Sequence, residues 1–289
     1  MRIDTQKLTI KQIKDQKKSL IASKKSLPIY SESLLQSTVK GKTPELKTKA
    51  FKEEAKDPDK IKVKFIGNTA LFCDSHMDVL AVGCYTKTVN ERGNLIHHLV
   101  DHKHELGAKV GKTIEVNTEM ISVSSFGIDS DVKMTEALMM TSEVSKKWDS
   151  KVFQLYKDEA VDQHSVGMQY MKIELAINSE DEEYKEEFAL WNKIYDSIIN
   201  KEKIDKSGYF WYVTEIKLFE ISAVLFGSNE LTPTVETQKE VEKPSEDTIQ
   251  QNEEKKPSED TSEKKTDDQE DQKQKENEEF ERRLQLLNN

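Results

Sequence analysis

Cysteine, proline and long apolar runs are the scarce features of this 289-residue chain, and each scarcity excludes something. Two cysteines, Cys73 and Cys84, are too few for a disulfide framework and read as buried, reduced thiols of an intracellular protein. No apolar run is long enough for a membrane span, and the start of the chain has no signal-peptide core, so a cytosolic protein is expected. No His-Glu-x-x-His or cysteine-ligand spacing accompanies the histidines, which argues against metal and leaves no cofactor to expect. All six prolines lie outside residues 59–232, at Pro28, Pro44, Pro58, Pro233, Pro244 and Pro257.

The proline-free middle is where the bulk sits. It holds all three tryptophans and nine of the ten glycines, and about 170 residues are ample for one well-buried core. The chain thus divides into a basic, partly helical extension over 1–58, a folded domain over 59–232, and an acidic tail over 233–289. The tail carries 18 acidic against 10 basic residues, has Phe280 as its one aromatic and repeats Lys-Pro-Ser-Glu-Asp-Thr at 243–248 and 256–261. Its apolar surface is too small to offset chain entropy, so a disordered segment is expected, with a possible terminal helix over 276–287. The first 60 residues carry 15 Lys/Arg against 8 Asp/Glu. Lysines from Lys7 to Lys25, broken by Leu8, Ile10, Ile13 and Leu20, suggest a basic amphipathic helix or a solvated charged extension, without a specific nucleic-acid role.

Period-2 alternation predicts a strand at 60–66, with further short strands at 70–74 and 77–82. A helix is predicted over 83–91, a hairpin of 109–116 with 119–126 about Asn117-Thr118, and a helix over 134–148 on the spacing of Ala137, Leu138, Val144 and Trp148. Residues 165–177 alternate, with Val166, Met168, Tyr170, Ile173 and Leu175 on the buried side. Residues 209–226 read as central strands. Tyr184, Phe188, Trp191, Tyr195 and Ile198 fall on one helical seam. Packing on the protein's own core is the simpler account of that seam, and a homodimer interface is the sharper one.

Four of the six histidines, His97, His98, His102 and His104, fall within eight residues. A near-neutral imidazole beside Asp101 suits a general base as well as a ligand. Ser165, in His164-Ser165-Val166-Gly167, is a nucleophile only if an imidazole takes its proton. The sequence does not match the Gly-x-Ser-x-Gly elbow, which counts against an α/β-hydrolase.

Several consecutive segments over residues 60–232 resemble the prohead (procapsid) maturation proteases of tailed bacteriophages. Asp74-Ser-His-Met-Asp78-Val-Leu resembles that family's early Asp-x-x-x-Asp segment. Gly83-Cys-Tyr-Thr-Lys resembles its Pro-Gly-Ala-Phe segment, although Val82 stands where the family often has proline. Leu99-Val-Asp-His102 resembles the histidine segment, Lys109-Val-Gly111-Lys the strand after it, and His164-Ser165-Val-Gly167-Met the nucleophile segment. Leu218-Phe-Glu220-Ile-Ser222-Ala-Val resembles the closing Leu-x-Glu-Val-Ser-x-Val signature. Gly227-Ser228-Asn229 replaces the usual Pro-Ala-Asn, and residues 179–207 look like an insertion.

The resemblance implies His102 as base, Ser165 as nucleophile and Glu220 as the carboxylate that orients the histidine. Asp101 is the alternative carboxylate, and His98, His104 and His164 are the alternative bases. It implies an α+β, mainly β fold, an antiparallel β-barrel surrounded by helices as in the herpesvirus assembly proteases. The implied function is a serine endopeptidase that cleaves scaffold and major capsid proteins, and itself, inside the assembling procapsid in the host cytoplasm. The competing expectation is a non-catalytic assembly protein on the same fold.

Overall fold

The computed structural model describes residues 8–26, 29–30, 51 and 57–238. The terminal-helix expectation at 276–287, and most of the expected disordered tail, lie outside the described residues. A basic pair of helices comes first, α1 (Ile10–Asp15) and α2 (Lys17–Ser26), and then the two-residue strand β1 (Ile29–Tyr30). Thr9 opens α1 with a capping box to Gln12, and the chain breaks at Gln16, so the single helix expected here is two. Ile13 and Leu20 are buried. The pair is therefore docked on the fold rather than being a solvated extension.

The rest is a nine-stranded sheet in the order β1-β7-β8-β4-β5-β6-β2-β9, with β3 attached to β8. Its strands are β2 (Lys60–Thr69), β3 (Asp78–Leu80), β4 (His97–Val100), β5 (Lys109–Ser122), β6 (Met134–Ser145), β7 (His164–Ile177), β8 (Tyr209–Ala223) and β9 (Thr234–Thr237). Four helices sit between them: α3 (Thr86–Arg92), α4 (Ser150–Lys157), α5 (Lys185–Ile194) and α6 (Lys201–Ser207). The class is α+β with a dominant sheet, as expected. The expected closed antiparallel barrel is corrected. The sheet does not close, and β3 and β4 each pair with β8 in parallel. The sheet nevertheless curls tightly, so that Phe65 of β2 stacks on His164 of β7 with ring centroids 4.0 Å apart. Between them the segment at 232–233 accepts hydrogen bonds from both, His164 N to Thr232 O and Ile66 N to Pro233 O. This segment thus bridges β2 and β7, whose outer edges pair elsewhere with β9 and β1.

Three sequence expectations are overturned by the structure. Residues 134–145 are strand β6, not a helix. β6 lies between β5 and β2, and Glu136, Ala137, Leu138, Met139 and Met140 are all buried. A strand covered on both faces loses its period-2 signature, and chance spacing then imitates a helical stripe. Trp148, the last member of that stripe, is 49% exposed. Likewise Asn117 and Thr118 form no turn. They lie mid-strand in β5, opposite Met139 and Leu138. Residues 70–74 form a turn with one bridge at Cys73 rather than a strand.

The remaining elements match their patterns. Val166, Met168, Tyr170, Ile173 and Leu175 are buried on β7, and β8 runs unbroken through the predicted central region. Trp191 of the aromatic seam lies 5.3 Å from Phe210 of β8, so the seam faces the protein's own sheet. Cys73 and Cys84 are free and buried. β9 pairs with β2 beyond the boundary expected at residue 232. No helix among the described residues is long and apolar enough to cross a membrane.

Candidate active site

The site forms where three strands lie level. β8 is in the middle, β4 pairs with it on one side and β7 on the other. In the ladder Ser165 lies opposite Ser222, and Gly167 opposite Glu220. Side chains two apart on a strand share a face, and directly opposed residues share it too. Ser165, Gly167, Glu220 and Ser222 therefore form a square on one face of the sheet. On the far side of β8, Leu99 pairs with Ser222 and Val100 with Ala223, which delivers the chain to His102 at the same level.

The return of His102 over that square depends on an unusual turn. Asp101 and His102 both have left-handed backbones, with φ of 52° and 53°. Each such non-glycine residue costs on the order of 1–3 kcal/mol and persists only where its surroundings over-determine it. Here Asp101 N donates to Ala223 O at 3.0 Å, His102 N to Ser222 Oγ at 3.2 Å and Lys103 N to Val100 O at 3.1 Å. The turn folds the imidazole back onto Glu220, with Nδ1 2.6 Å from Oε1. A carboxylate oxygen only accepts, so Nδ1 carries the proton and the basic lone pair is on Nε2.

Glu220 is held from its other side as well. Ser222 Oγ donates to Oε2 at 2.6 Å. One serine hydroxyl therefore ties the backbone of the histidine turn to the carboxylate that orients the ring. Ser222 stands two residues after Glu220, the spacing of a shared strand face, within the 218–224 segment singled out in the sequence. Gly167 also has a use that the sequence did not reveal. A Cβ there would lie 2.1 Å from Glu220 Oε1, so glycine makes room for the carboxylate. The group is well shielded, since Ser165 is 3% exposed and the side chains of His102 and Glu220 are 8% and 1% exposed.

The alternative residues are placed elsewhere. Asp101 points to solvent and pairs with Lys103 at 3.4 Å. His104 is exposed. His98 and His164 belong to a separate buried relay. Burial holds His98 well below the usual imidazole range, and lowers His164 to about 3, so both rings are neutral. Thr232 O can only accept, so His164 Nδ1–H donates to it at 3.0 Å, and Nε2 must accept from Tyr156 OH at 2.9 Å. The Tyr156 oxygen then accepts from His98 Nε2–H at 3.0 Å, and His98 Nδ1 accepts from Ser142 Oγ at 3.0 Å. One carbonyl thereby sets the direction of four hydrogen bonds inside the core. Among the described residues no cluster of His, Cys, Asp or Glu has the arrangement of a metal site.

The chain matches no protein-family model, no curated protein and no solved structure.

Proposed function

We propose that the protein is a serine endopeptidase with Ser165 as nucleophile, His102 as general base and Glu220 as the residue that orients it. The observation that carries this is the 2.6 Å contact between His102 Nδ1 and Glu220 Oε1, formed by a strained turn, level with Ser165 in the sheet. Ser165 Oγ adds to the peptide carbonyl while its proton passes to His102 Nε2. The same proton then goes to the leaving amine, and water activated by His102 releases the acyl group from Ser165. Leu225 and Phe226, exposed just beyond the end of β8, offer apolar contacts to a peptide beside the site.

The substrates proposed are the scaffold segment and the major capsid protein of a procapsid, and the chain itself, in the host cytoplasm. That choice rests on the likeness of six segments to the prohead proteases. A mass spectrum of the purified full chain tests the chemistry. Self-cleavage products, and labelling of Ser165 by a fluorophosphonate, are expected for the wild type and neither for Ser165→Ala. Identical fragments from both proteins would overturn the reading and favour a non-catalytic assembly protein.

A further inference from the structure

The N-terminal helices make contacts too specific for a basic extension. Lys14 and Lys17 donate to the two oxygens of a single buried carboxylate, Glu187 of α5, at 2.5 and 2.6 Å. Lys24 reaches Asp78 Oδ1 at 2.5 Å, while Tyr170 OH holds Oδ2 of the same residue at 2.7 Å. The Lys24 ammonium also lies 5.5 Å from the Trp211 ring and 5.8 Å from the Tyr170 ring. A lysine threaded between two aromatic faces onto a buried carboxylate is a fitted contact, worth more than an exposed ion pair. Gln169 Nε2 then donates to Lys25 O at 2.8 Å, fixing the end of α2 to β7.

Beyond this anchor the chain enters β1. Ile29 pairs with Met168 and Tyr30 with Gly167, antiparallel, on the edge of β7 that β8 does not use. Gly167 is opposite Glu220, and Ser165 is the next residue along that face. An extended chain running in the direction of β1 moves one residue back along β7 with each step. Two residues past the partner of Gly167, such a chain is level with Ser165. Exposed strand edges accept extended peptides by main-chain pairing, and this edge, beside a nucleophile, is already taken.

We infer that α1, α2 and β1 form an autoinhibitory strap, anchored by Lys14, Lys17 and Lys24 to Glu187 and Asp78, whose strand β1 closes the β7 edge to an incoming peptide next to Ser165. Its inhibitory consequence rests on the endopeptidase reading; its position on the edge does not. Release of β1 opens the edge while leaving His102, Glu220 and Ser222 untouched, because all three are held from β4 and β8.

The test uses the full chain carrying Ile29→Pro with Tyr30→Pro, which removes the strand's amide donors, and separately Lys24→Gln, which loosens the anchor. Circular dichroism checks that both fold. Amide hydrogen exchange at 167–169 should accelerate in both variants, and unchanged exchange would overturn the strap. The KM for a peptide substrate should fall about tenfold with kcat unchanged, since a mostly closed edge reduces apparent affinity by the open fraction. Accelerated exchange with an unchanged KM would overturn inhibition. Should wild type and variants alike fail to cleave peptide or react with a fluorophosphonate, the endopeptidase reading falls and inhibition with it. Faster exchange would then still establish the strap as the cover of that edge.

Discussion

Gly167 and Glu220 face each other across two strands with no space for one more carbon between them. The distance from a Cβ at 167 to Glu220 Oε1 would be 2.1 Å, so an added methyl must evict the carboxylate from its place beneath His102.

Gly167→Ala is therefore expected to behave like loss of the orienting carboxylate. A fall in kcat of up to about 10⁴-fold is expected, the loss found when a triad histidine's carboxylate partner is neutralised. Peptide hydrolysis by Gly167→Ala and Glu220→Gln should fall together, and the double variant should be no worse than either. Full activity in Glu220→Gln with loss in Asp101→Asn would show that the wrong carboxylate has been assigned.

Ser222→Ala removes both the donor to Glu220 and the acceptor of His102 N. The fold should survive, because the β8 ladder does not depend on that hydroxyl. One lost hydrogen bond to a charged group is worth about 1.5–3 kcal/mol, so kcat should drop about 10–100-fold with KM little changed. A change confined to KM would place Ser222 in substrate binding instead.

The buried relay predicts an acid-sensitive core. Burial lowers the folded-state basicity of both His98 and His164, the latter to about 3, whereas an unfolded histidine titrates near 6.5. Below about pH 6.5 the unfolded chain takes up protons that the native core refuses. Stability is thus fully present above that pH and is lost as the pH falls towards 3. Two such groups give a limiting slope of about 2.7 kcal/mol per pH unit. Urea midpoints at pH 7, 5.5 and 4.5 should fall steeply. Tyr156→Phe, which leaves two ring nitrogens in the core without their partner, should cost about 2–5 kcal/mol at pH 7.

β9 lies past the expected domain boundary and pairs with β2, next to the Pro233 carbonyl that accepts from Ile66 N. A chain ending at 232 should therefore melt about 5–10 °C lower than one ending at 238, as a loss of about 2–3 kcal/mol does in a domain of this size. Differential scanning calorimetry of the two truncations decides it. Equal melting temperatures would return the boundary to 232.

Some of this protein was determined by local sequence alone. The strand at β2, the buried stripe of β7 and the seam of α5 were readable because each is a periodic pattern against one core face, and β8 because its run of apolar, aromatic and branched residues suits a central strand. The segments that bring His102 onto Glu220 and set Ser165 opposite Ser222 were singled out from their flanking residues, and the contact itself is a matter of the fold.

Other features were settled by tertiary contacts. β6 is a strand because β2 and β5 cover its two edges and the core covers its faces, and its own residues have no preference strong enough to say so. The sheet stays open because the outer edges of β7 and β2 are taken by β1, by β9 and by the segment at 232–233. His102 reaches Glu220 through two left-handed residues that no local pattern favours, held by bonds to Ala223 and Ser222. The neutral pair His98 and His164 depends on Tyr156, which lies on a helix outside the sheet and reaches both rings only once the core has formed. Local periodicity is a property of neighbouring residues, whereas burial, register and hydrogen-bond partners across more than a hundred residues exist only in the folded chain.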